Sequence, residues 1–286
     1  MITGKNHPRP IEIGSSLFEW GSRTYIAGIV NVTPDSFSGD GISGNIEKAV
    51  LQASEFQKLG AHIIDIGGES TRPKSIYGYS KPVSVDEELS RVLPLIEILA
   101  EDLKIPISID TYKSKVAKAC VDAGAHIVND VWGFMADPTM VKVVAETGAV
   151  AILMHNQDGT FYNDIVPDIV SDIGSMMDFA VESGVDFDKL IIDPGIGFGK
   201  TAEQNLEVLR NLSKFTDLGR PVMVGMSRKS TIGYVLDLPV EDRLEGTSAS
   251  VALSIAFGAD IVRVHDVKEM ARVSRMSDAI VRGWSD

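Results

Sequence analysis

Polar side chains stand at the ends of several predicted strands of this chain. Carboxylates and an amide follow some strands, and hydroxyl or cationic groups follow others. If the strands are parallel, their carboxyl ends meet at one face, and these side chains form one pocket. Strand alternation puts Arg263 and His265 on one side, and also Ser227 and Lys229 if the seventh strand continues that far. The set comprises Asn31, Asp110, Asn129, Asp193, Ser227, Lys229, Arg263 and His265.

Such a pocket suits a flat heteroaromatic substrate that carries phosphate. Asp110, Asp193 and Asn129 match the donor and acceptor edge of an amino-pyrimidinone ring. Arg263 can stack on the ring or bind phosphate. Arg72, His265 and Asn31, with backbone N–H groups at helix starts, suit a phosphate group or its metal. The glycine-rich PGIGFGK segment (194–200) lacks the phosphate-loop pattern GxxxxGK[ST] and is weak evidence alone.

Each of these residues also has a purely structural interpretation. Asp110 could cap the next helix, Asp193 could shape a turn with Pro194, and Lys229 could be a solvated charge. Arg263 is harder to explain in this way, because Val and Ile flank it and a lone buried arginine is costly. The number of polar strand ends favours a functional site.

Short β-branched runs alternate with longer helical patterns, which predicts parallel strands covered by helices. Because the polar residues follow many strands rather than one switch point, a single-domain α/β fold, the (β/α)8 TIM barrel, is favoured over a doubly wound open sheet. We expect residues 1–23 to precede the barrel, in part as a hairpin over its bottom, and residues 24–286 to form it. The predicted strands are 24–30, 62–66, 105–110, 126–130, 149–154, 189–193, 221–225 and 260–264.

Composition restricts the class of protein and its partners. The net charge of −13 argues against non-specific nucleic-acid binding. The single cysteine, Cys120, cannot form an internal disulfide, and its apolar helical setting predicts a buried, inert thiol. No apolar run has the length of a membrane-spanning helix and no signal peptide is evident, so we expect a cytoplasmic protein without membrane partners.

Two segments carry a family resemblance. NVTPDSFS (31–38) and IGGESTRP (66–73) resemble the signatures of the dihydropteroate synthases. The resemblance continues in order through the segment from Ser108 to Gly133, then LMH, IIDPGIGFGK, SRKS and RVHDV, and so spans roughly residues 24–270. It implies a (β/α)8 barrel that joins 6-hydroxymethyl-7,8-dihydropterin pyrophosphate to p-aminobenzoate in folate biosynthesis. It also implies sulfonamide binding, a Mg²⁺ ion and a homodimer formed by helices far from the active site.

The resemblance also implies roles for individual residues. Asp110, Lys229, Arg263 and Asp35 would be catalytic, Asp35 on a mobile loop that closes over the pyrophosphate. The pterin would be bound by Asp110, Asn129, Met154, Asp193, Lys229 and Arg263. The p-aminobenzoate site would be bordered by Thr71, Phe198, Ser227 and Lys229. The pyrophosphate would be held by Asn31, Thr71, Arg72, Arg263 and His265, with Asn31 as a Mg²⁺ ligand.

Such a site favours a dissociative reaction without a protein nucleophile, in which the C–O bond to pyrophosphate breaks before the amine attacks. Two segments depart from the family pattern: KSIYGYSKP (74–82) lengthens the second loop, and NQDGTFYND (156–164) alters the fifth. Three alternatives remain: a pterin-dependent methyltransferase acting with a corrinoid protein, a Schiff-base aldolase using Lys229, and a non-catalytic pterin-binding protein.

Overall fold

A parallel sheet is the centre of the fold and confirms the predicted barrel. The computed structural model describes residues 7–32, 41–69 and 83–284, with only the backbone for residues 41–45. Eight of the strands in this part of the chain form one sheet. They are β3 (Tyr25–Asn31), β4 (Ile63–Gly67), β5 (Ile107–Asp110), β6 (Ile127–Asp130), β7 (Val150–Met154), β8 (Leu190–Asp193), β9 (Met223–Val224) and β10 (Ile261–Val264).

Neighbouring strands pair in parallel from β8 back to β3, and then through β10 to β9. The barrel closes between β8 and β9, where Ile192 N–H donates to Pro221 O at 3.0 Å and Ile192 bridges Val222. The regular pairing of β9 is shorter than the predicted strand 221–225. Proline at 221 has no N–H to donate, and the chain turns soon after Val224.

Helices follow the barrel strands and cover the outside of the sheet. The helix before β4 begins at Gly41, and the helix after β4 begins at Val85, where Ser84 caps it by accepting from Glu87 N–H at 3.2 Å. The helices are α1 (Gly41–Leu59), α2 (Val85–Asp102), α3 (Ser114–Asp122), α4 (Met140–Thr147), α5 (Ile165–Glu182), α6 (Ala202–Arg210), α7 (Ser230–Leu236), α8 (Leu244–Ala256) and α9 (Val267–Val281).

Two apolar cores stabilise this arrangement. The larger lies between the sheet and the helices and includes Cys120, whose thiol is buried as expected and has its pKa raised to about 12 by that burial. The smaller fills the barrel near the amino ends of the strands. No helix in the described ranges is long and apolar enough to cross a membrane.

A hairpin closes the bottom of the barrel. Strand β1 (Ile11–Ile13) pairs antiparallel with β2 (Ser16–Phe18), and Phe18 packs against Tyr25 at the start of β3 with ring centroids 4.5 Å apart. This plug leaves the opposite end, at the carboxyl ends of the strands, as the open mouth of the barrel.

Candidate active site

Strand register brings the predicted pterin residues to the same level of the barrel mouth. Asp110 on β5 lies opposite Gly67 on β4 and opposite Asn129 on β6. Met154 on β7 lies opposite Asp193 on β8. Because side chains alternate along a strand, these positions share the inner face of the barrel.

Arg263 is the centre of the charged network in this pocket. Its Nε donates to Asp65 Oδ2 at 2.5 Å, and its Nη2 donates to Asp110 Oδ2 at 2.7 Å. Asp65 also lies near Asn129, whose Nδ2 is 3.4 Å from Asp65 Oδ2. The guanidinium therefore pairs with two buried carboxylates, so its own charge is not buried without a partner.

Two acceptor atoms in the pocket are left for a ligand. Among the residues that the structure describes, the buried Oδ1 atoms of Asp110 and Asn129 have no hydrogen-bond partner. A buried polar atom without a partner is unfavourable, so such atoms mark places where a ligand or water completes the site. Adjacent acceptors match the N–H and NH₂ donors of an amino-pyrimidinone edge.

Asp110 is not a helix cap, which removes the structural alternative for this residue. Helix α3 begins at Ser114, whose backbone N–H donates to Asp137 Oδ2 at 2.9 Å. Burial raises the pKa of Asp110 to about 7, against the opposing influence of Arg263. A carboxyl group titrating near neutrality in a cleft is typical of functional sites.

Asp193 has a turn-forming role and also faces the pocket. Its Oδ1 accepts from Gly195 N–H at 2.7 Å, as the turn interpretation required. Its side chain is buried, and that burial raises its pKa although Lys229 opposes the shift. Asp193 therefore shapes the turn, and its contact with the pterin stays a prediction.

Lys229 enters the pocket from a turn rather than from a strand. Strand β9 ends at Val224, so the alternation expected for Ser227 and Lys229 does not apply. The turn places Arg228 at φ 56°. Lys229 Nζ donates to Ile196 O and lies 4.6 Å from the centroid of the Phe198 ring. Burial lowers the pKa of Lys229 to about 8, so it is not an ordinary solvated lysine.

Ser227 contacts His265, the predicted pyrophosphate residue. Ser227 Oγ accepts from His265 N–H at 3.1 Å and lies 3.0 Å from His265 Nδ1. The adjacent Arg228 pairs with Asp266, which ties the loop after β9 to the loop after β10. Ser227 therefore orients His265, and its predicted contact with p-aminobenzoate stays a prediction.

Asn31 ends β3 beside the same pocket. A Cβ built on Gly67 would lie 3.5 Å from Asn31 Oδ1 and 3.9 Å from Asp110 Oδ2, so a glycine here keeps both polar atoms uncovered. The amide oxygen of Asn31 is a hard ligand that suits Mg²⁺. No group of three His, Cys, Asp or Glu residues within the described ranges is arranged to hold a metal. A metal ion at Asn31 would need further ligands from outside the described protein groups.

Three predicted site residues, Asp35, Thr71 and Arg72, lie outside the described residues, as does the long second loop at 74–82. The altered fifth loop is described and packs on the glycine-rich segment. Tyr162 Oη donates to Gly199 O at 2.9 Å, and Gln157 lies against Gly199.

Sequence analysis missed two buried residues near the site. Asp65 lies within the apolar run HIIDI, two residues before Gly67. Because side chains alternate along a strand, Asp65 and Gly67 lie on the same face, the inner face of the barrel. Lys200 ends the glycine-rich segment, and its ammonium donates to three acceptors, which no local pattern indicates.

The model of the pterin binding enzyme family matches residues 27–265 of this chain. The match contains all of the barrel strands except the first two residues of β3, so fold and site together define a pterin-binding barrel.

Known relatives define the class further. The chain is 52% identical to dihydropteroate synthase of Bacillus subtilis over 93% of this chain and 92% of that protein. It also resembles the dihydropteroate synthase of Clostridium difficile solved in the presence of pteroic acid, with a TM-score of 0.89, 50% identity and coverage of 93% and 99% of the two chains. The Xanthomonas albilineans synthase with 4-aminobenzoic acid gives a TM-score of 0.89 at 36% identity, covering 96% of this chain and 98% of that one. The chain belongs to the dihydropteroate synthase family, the pterin-binding transferases of folate biosynthesis.

Proposed function

We propose that this chain condenses 6-hydroxymethyl-7,8-dihydropterin pyrophosphate with p-aminobenzoate at the barrel mouth, giving 7,8-dihydropteroate and pyrophosphate. The observation that carries the proposal is the pair of unpartnered buried acceptors, Asp110 Oδ1 and Asn129 Oδ1. They stand beside a guanidinium that is already held in place by two carboxylates. The pocket is therefore preorganised for a planar ring with N–H donors along one edge.

The pterin ring would bind among the inward-facing side chains. Asp110, Asn129 and Asp193 would accept from the ring edge, and Lys229 would donate to its carbonyl oxygen or ring nitrogen. Met154 lines the same level of the barrel and supplies an apolar contact. Arg263 would cover one face of the ring, because a planar guanidinium stacks well on an aromatic system.

Bond breaking would precede bond making. The C–O bond to pyrophosphate breaks, and its electron pair leaves with the pyrophosphate. The resulting pterin methylene cation is stabilised by its own electron-rich ring and by the carboxylate of Asp110. The amine nitrogen of p-aminobenzoate then forms the new C–N bond and releases a proton, so no protein nucleophile is needed.

The leaving group would be held by cationic and neutral donors. His265, oriented by Ser227, lies on the strand-end loop next to Arg263 and would donate to the pyrophosphate. Asn31 would provide one ligand to Mg²⁺, which when bound neutralises negative charge on the pyrophosphate. Arg72 and Thr71 are proposed to contribute from the second loop.

The p-aminobenzoate would lie between Phe198 and Lys229. The contact of the Lys229 ammonium with the Phe198 ring gives this side of the site both an apolar surface and a positive charge. An aromatic carboxylate needs the same combination: its ring packs on Phe198 and its anionic group lies near a cation. We propose that Lys229 in this position is also a catalytic residue. Asp35, which follows β3 in the sequence, is proposed as another.

Oligomeric state and location are also part of the proposal. Leu253 on α8 is 50% exposed, and Met276 and Ile280 on the neighbouring α9 are 62% and 72% exposed. Such an apolar face far from the mouth fits a homodimer of this cytoplasmic enzyme. Sedimentation velocity should show a dimer for the wild type and a monomer for a variant with Leu253→Glu and Met276→Glu.

The activity is tested by mixing purified protein with the pterin pyrophosphate, p-aminobenzoate and Mg²⁺, and following both products. Equal amounts of dihydropteroate and pyrophosphate support the synthase. Pterin binding without either product would favour the non-catalytic binding protein instead. A covalent adduct trapped by borohydride with a carbonyl substrate would point to the aldolase alternative.

A further inference from the structure

Lys200 is a buried lysine whose donors are all used within the protein. Only 5% of the residue is exposed. Its Nζ donates to Gly195 O at 3.0 Å and to Phe198 O at 2.9 Å, and it lies 3.0 Å from His155 Nδ1. An ammonium group has three protons, so these three acceptors satisfy it fully. Two of them belong to the glycine-rich segment 194–200, which Lys200 itself ends.

His155 has a defined tautomer in this arrangement. Because the Lys200 ammonium can only donate, Nδ1 is the acceptor and the proton of the neutral ring is on Nε2, which lies 3.3 Å from Asp172 Oδ2 on α5. Burial lowers the pKa of His155 to about 3, and Lys200 adds to the effect, so the imidazole is neutral. Nδ1 is then free to accept from Lys200. The histidine backbone is held as well, because its N–H donates to Asp193 O at 3.0 Å.

The opposite side of the same segment faces the proposed p-aminobenzoate site. Ile196 O accepts from Lys229, and the Phe198 ring packs against the same ammonium. Gly197 N–H donates to Asn205 Oδ1 at 2.7 Å, which holds the segment from the side of α6. Lys200 therefore binds the carbonyl of Gly195, which precedes Ile196, and the carbonyl of Phe198, whose ring contacts Lys229.

We propose that Lys200 is a positioning residue for the p-aminobenzoate half of the site. Its ammonium, oriented through His155, fixes segment 194–200 so that Ile196 O and the Phe198 ring hold Lys229 in place. The inference rests on the proposed function for the roles of Phe198 and Lys229. Burial lowers the pKa of Lys200 to about 7, although the nearby carboxylate of Asp193 opposes the shift.

A matched pair of lysine variants provides the test. Lys189 precedes β8 at the bottom of the barrel and donates its Nζ to Gly148 O at 2.6 Å, whereas Lys200 follows β8 at the mouth. We expect Lys200→Met to raise the KM for p-aminobenzoate by about tenfold or more, since small misplacements of a contact surface are costly. The KM for the pterin pyrophosphate should rise by less than the KM for p-aminobenzoate, because Asp110 and Asn129 lie on other strands and still bind the ring when Lys229 is displaced. Lys189→Met should leave both KM values unchanged.

Hydrogen exchange gives a second readout that does not depend on turnover. Amides of segment 194–200 should exchange faster in Lys200→Met than in Lys189→Met. At the neighbouring position, His155→Leu should reproduce the Lys200 defect in exchange and KM. His155→Asn should largely restore both, because its Oδ1 can replace the Nδ1 acceptor.

The outcomes separate the two proposals. A wild type that forms no product overturns the synthase activity, while exchange still decides the role of Lys200. An active wild type whose Lys200→Met variant matches Lys189→Met in KM and exchange overturns the positioning role. If Lys200→Met does not fold, the two His155 variants decide: equal behaviour of His155→Asn and His155→Leu contradicts the proposal.

Discussion

Arg263 Nη2 donates to Asp110 Oδ2 at 2.7 Å across the barrel mouth, between β10 and β5. The bond uses one oxygen of the carboxylate, and the other, Oδ1, is buried without a hydrogen-bond partner among the described residues. The Arg263 guanidinium also donates to Asp65, so the position of Arg263 is fixed before a substrate binds. A preorganised carboxylate of this kind can stabilise a developing cation without rearrangement.

Asp110→Asn should lower turnover by about 100-fold or more, because the neutral amide cannot stabilise a cation to the same extent. The fold should survive, since the amide oxygen can still accept from Arg263. Steady-state kinetics measures the loss, and circular dichroism checks the fold. Turnover close to wild type would remove Asp110 from the mechanism.

Arg263→Ala should also lower turnover strongly, but here stability should fall as well. The substitution leaves Asp65 and Asp110 buried without their shared cation, a change that costs about 3 kcal/mol or more of unfolding free energy. The second carboxylate, Asp65, adds to the loss because it also pairs with Arg263. Urea unfolding of Arg263→Ala and of Arg263→Ala with Asp65→Asn tests the point: the second change should recover part of the loss.

The pH dependence of kcat/KM should be bell-shaped. Activity requires ionised Asp110, whose pKa is raised by burial to about 7, so the rate should rise with pH through that region. It also requires protonated Lys229, whose pKa is lowered by burial to about 8, so the rate should fall above that value. Values of kcat/KM report groups of the free enzyme. A profile that is flat from pH 6 to pH 9 would contradict these assignments.

Gly197→Ala should lower activity by more than the loss of stability alone would cause. Gly197 has φ 84°, and an added Cβ would lie 3.0 Å from Lys229 Cδ. Gly219→Ala is the matched control, because Gly219 has φ 72° with nothing within 4 Å of the added Cβ. Both variants should lose about 1 kcal/mol of stability from backbone strain. Only Gly197→Ala should raise the KM for p-aminobenzoate, and equal kinetics would refute the contact with Lys229.

Ser227→Ala distinguishes two roles for this serine. Loss of its hydroxyl removes the contact that orients the His265 ring, so the KM for the pterin pyrophosphate should rise about three- to tenfold. The KM for p-aminobenzoate should stay near wild type. The reverse pattern would favour the direct p-aminobenzoate contact predicted from the family resemblance.

Strand-end residues were the most predictable part of the molecule. The positions of Asp110, Asn129 and Asp193 follow from two facts visible in the sequence: each ends an apolar run, and parallel strands end at one face. Asp65 was not predicted because it lies inside a strand and not at its end. Acidic residues are rare in strands, and the strand pattern alone gives them no function. Its partner, Arg263, is 198 residues away, a separation that no local pattern can bridge.

Turn geometry was less predictable than strand geometry. The side chain of Lys229 reaches the site because the chain turns at Arg228 with a positive φ, whereas the sequence left open whether the strand continues to Lys229. Lys200 and His155 are brought together by tertiary packing behind the glycine-rich segment. Their contact depends on the neutral state of a buried imidazole, which sequence spacing does not encode.

Calorimetric titration with pteroic acid tests the central claim most directly, that the unpartnered acceptors of Asp110 and Asn129 bind the pterin edge. We predict that the wild type binds pteroic acid and that Asn129→Leu weakens the affinity about tenfold or more, the cost of one buried hydrogen bond. Glu207→Leu, on the outer helix α6, serves as the control and should bind as the wild type does. Unchanged affinity in Asn129→Leu would mean that the pterin lies elsewhere and would contradict the account.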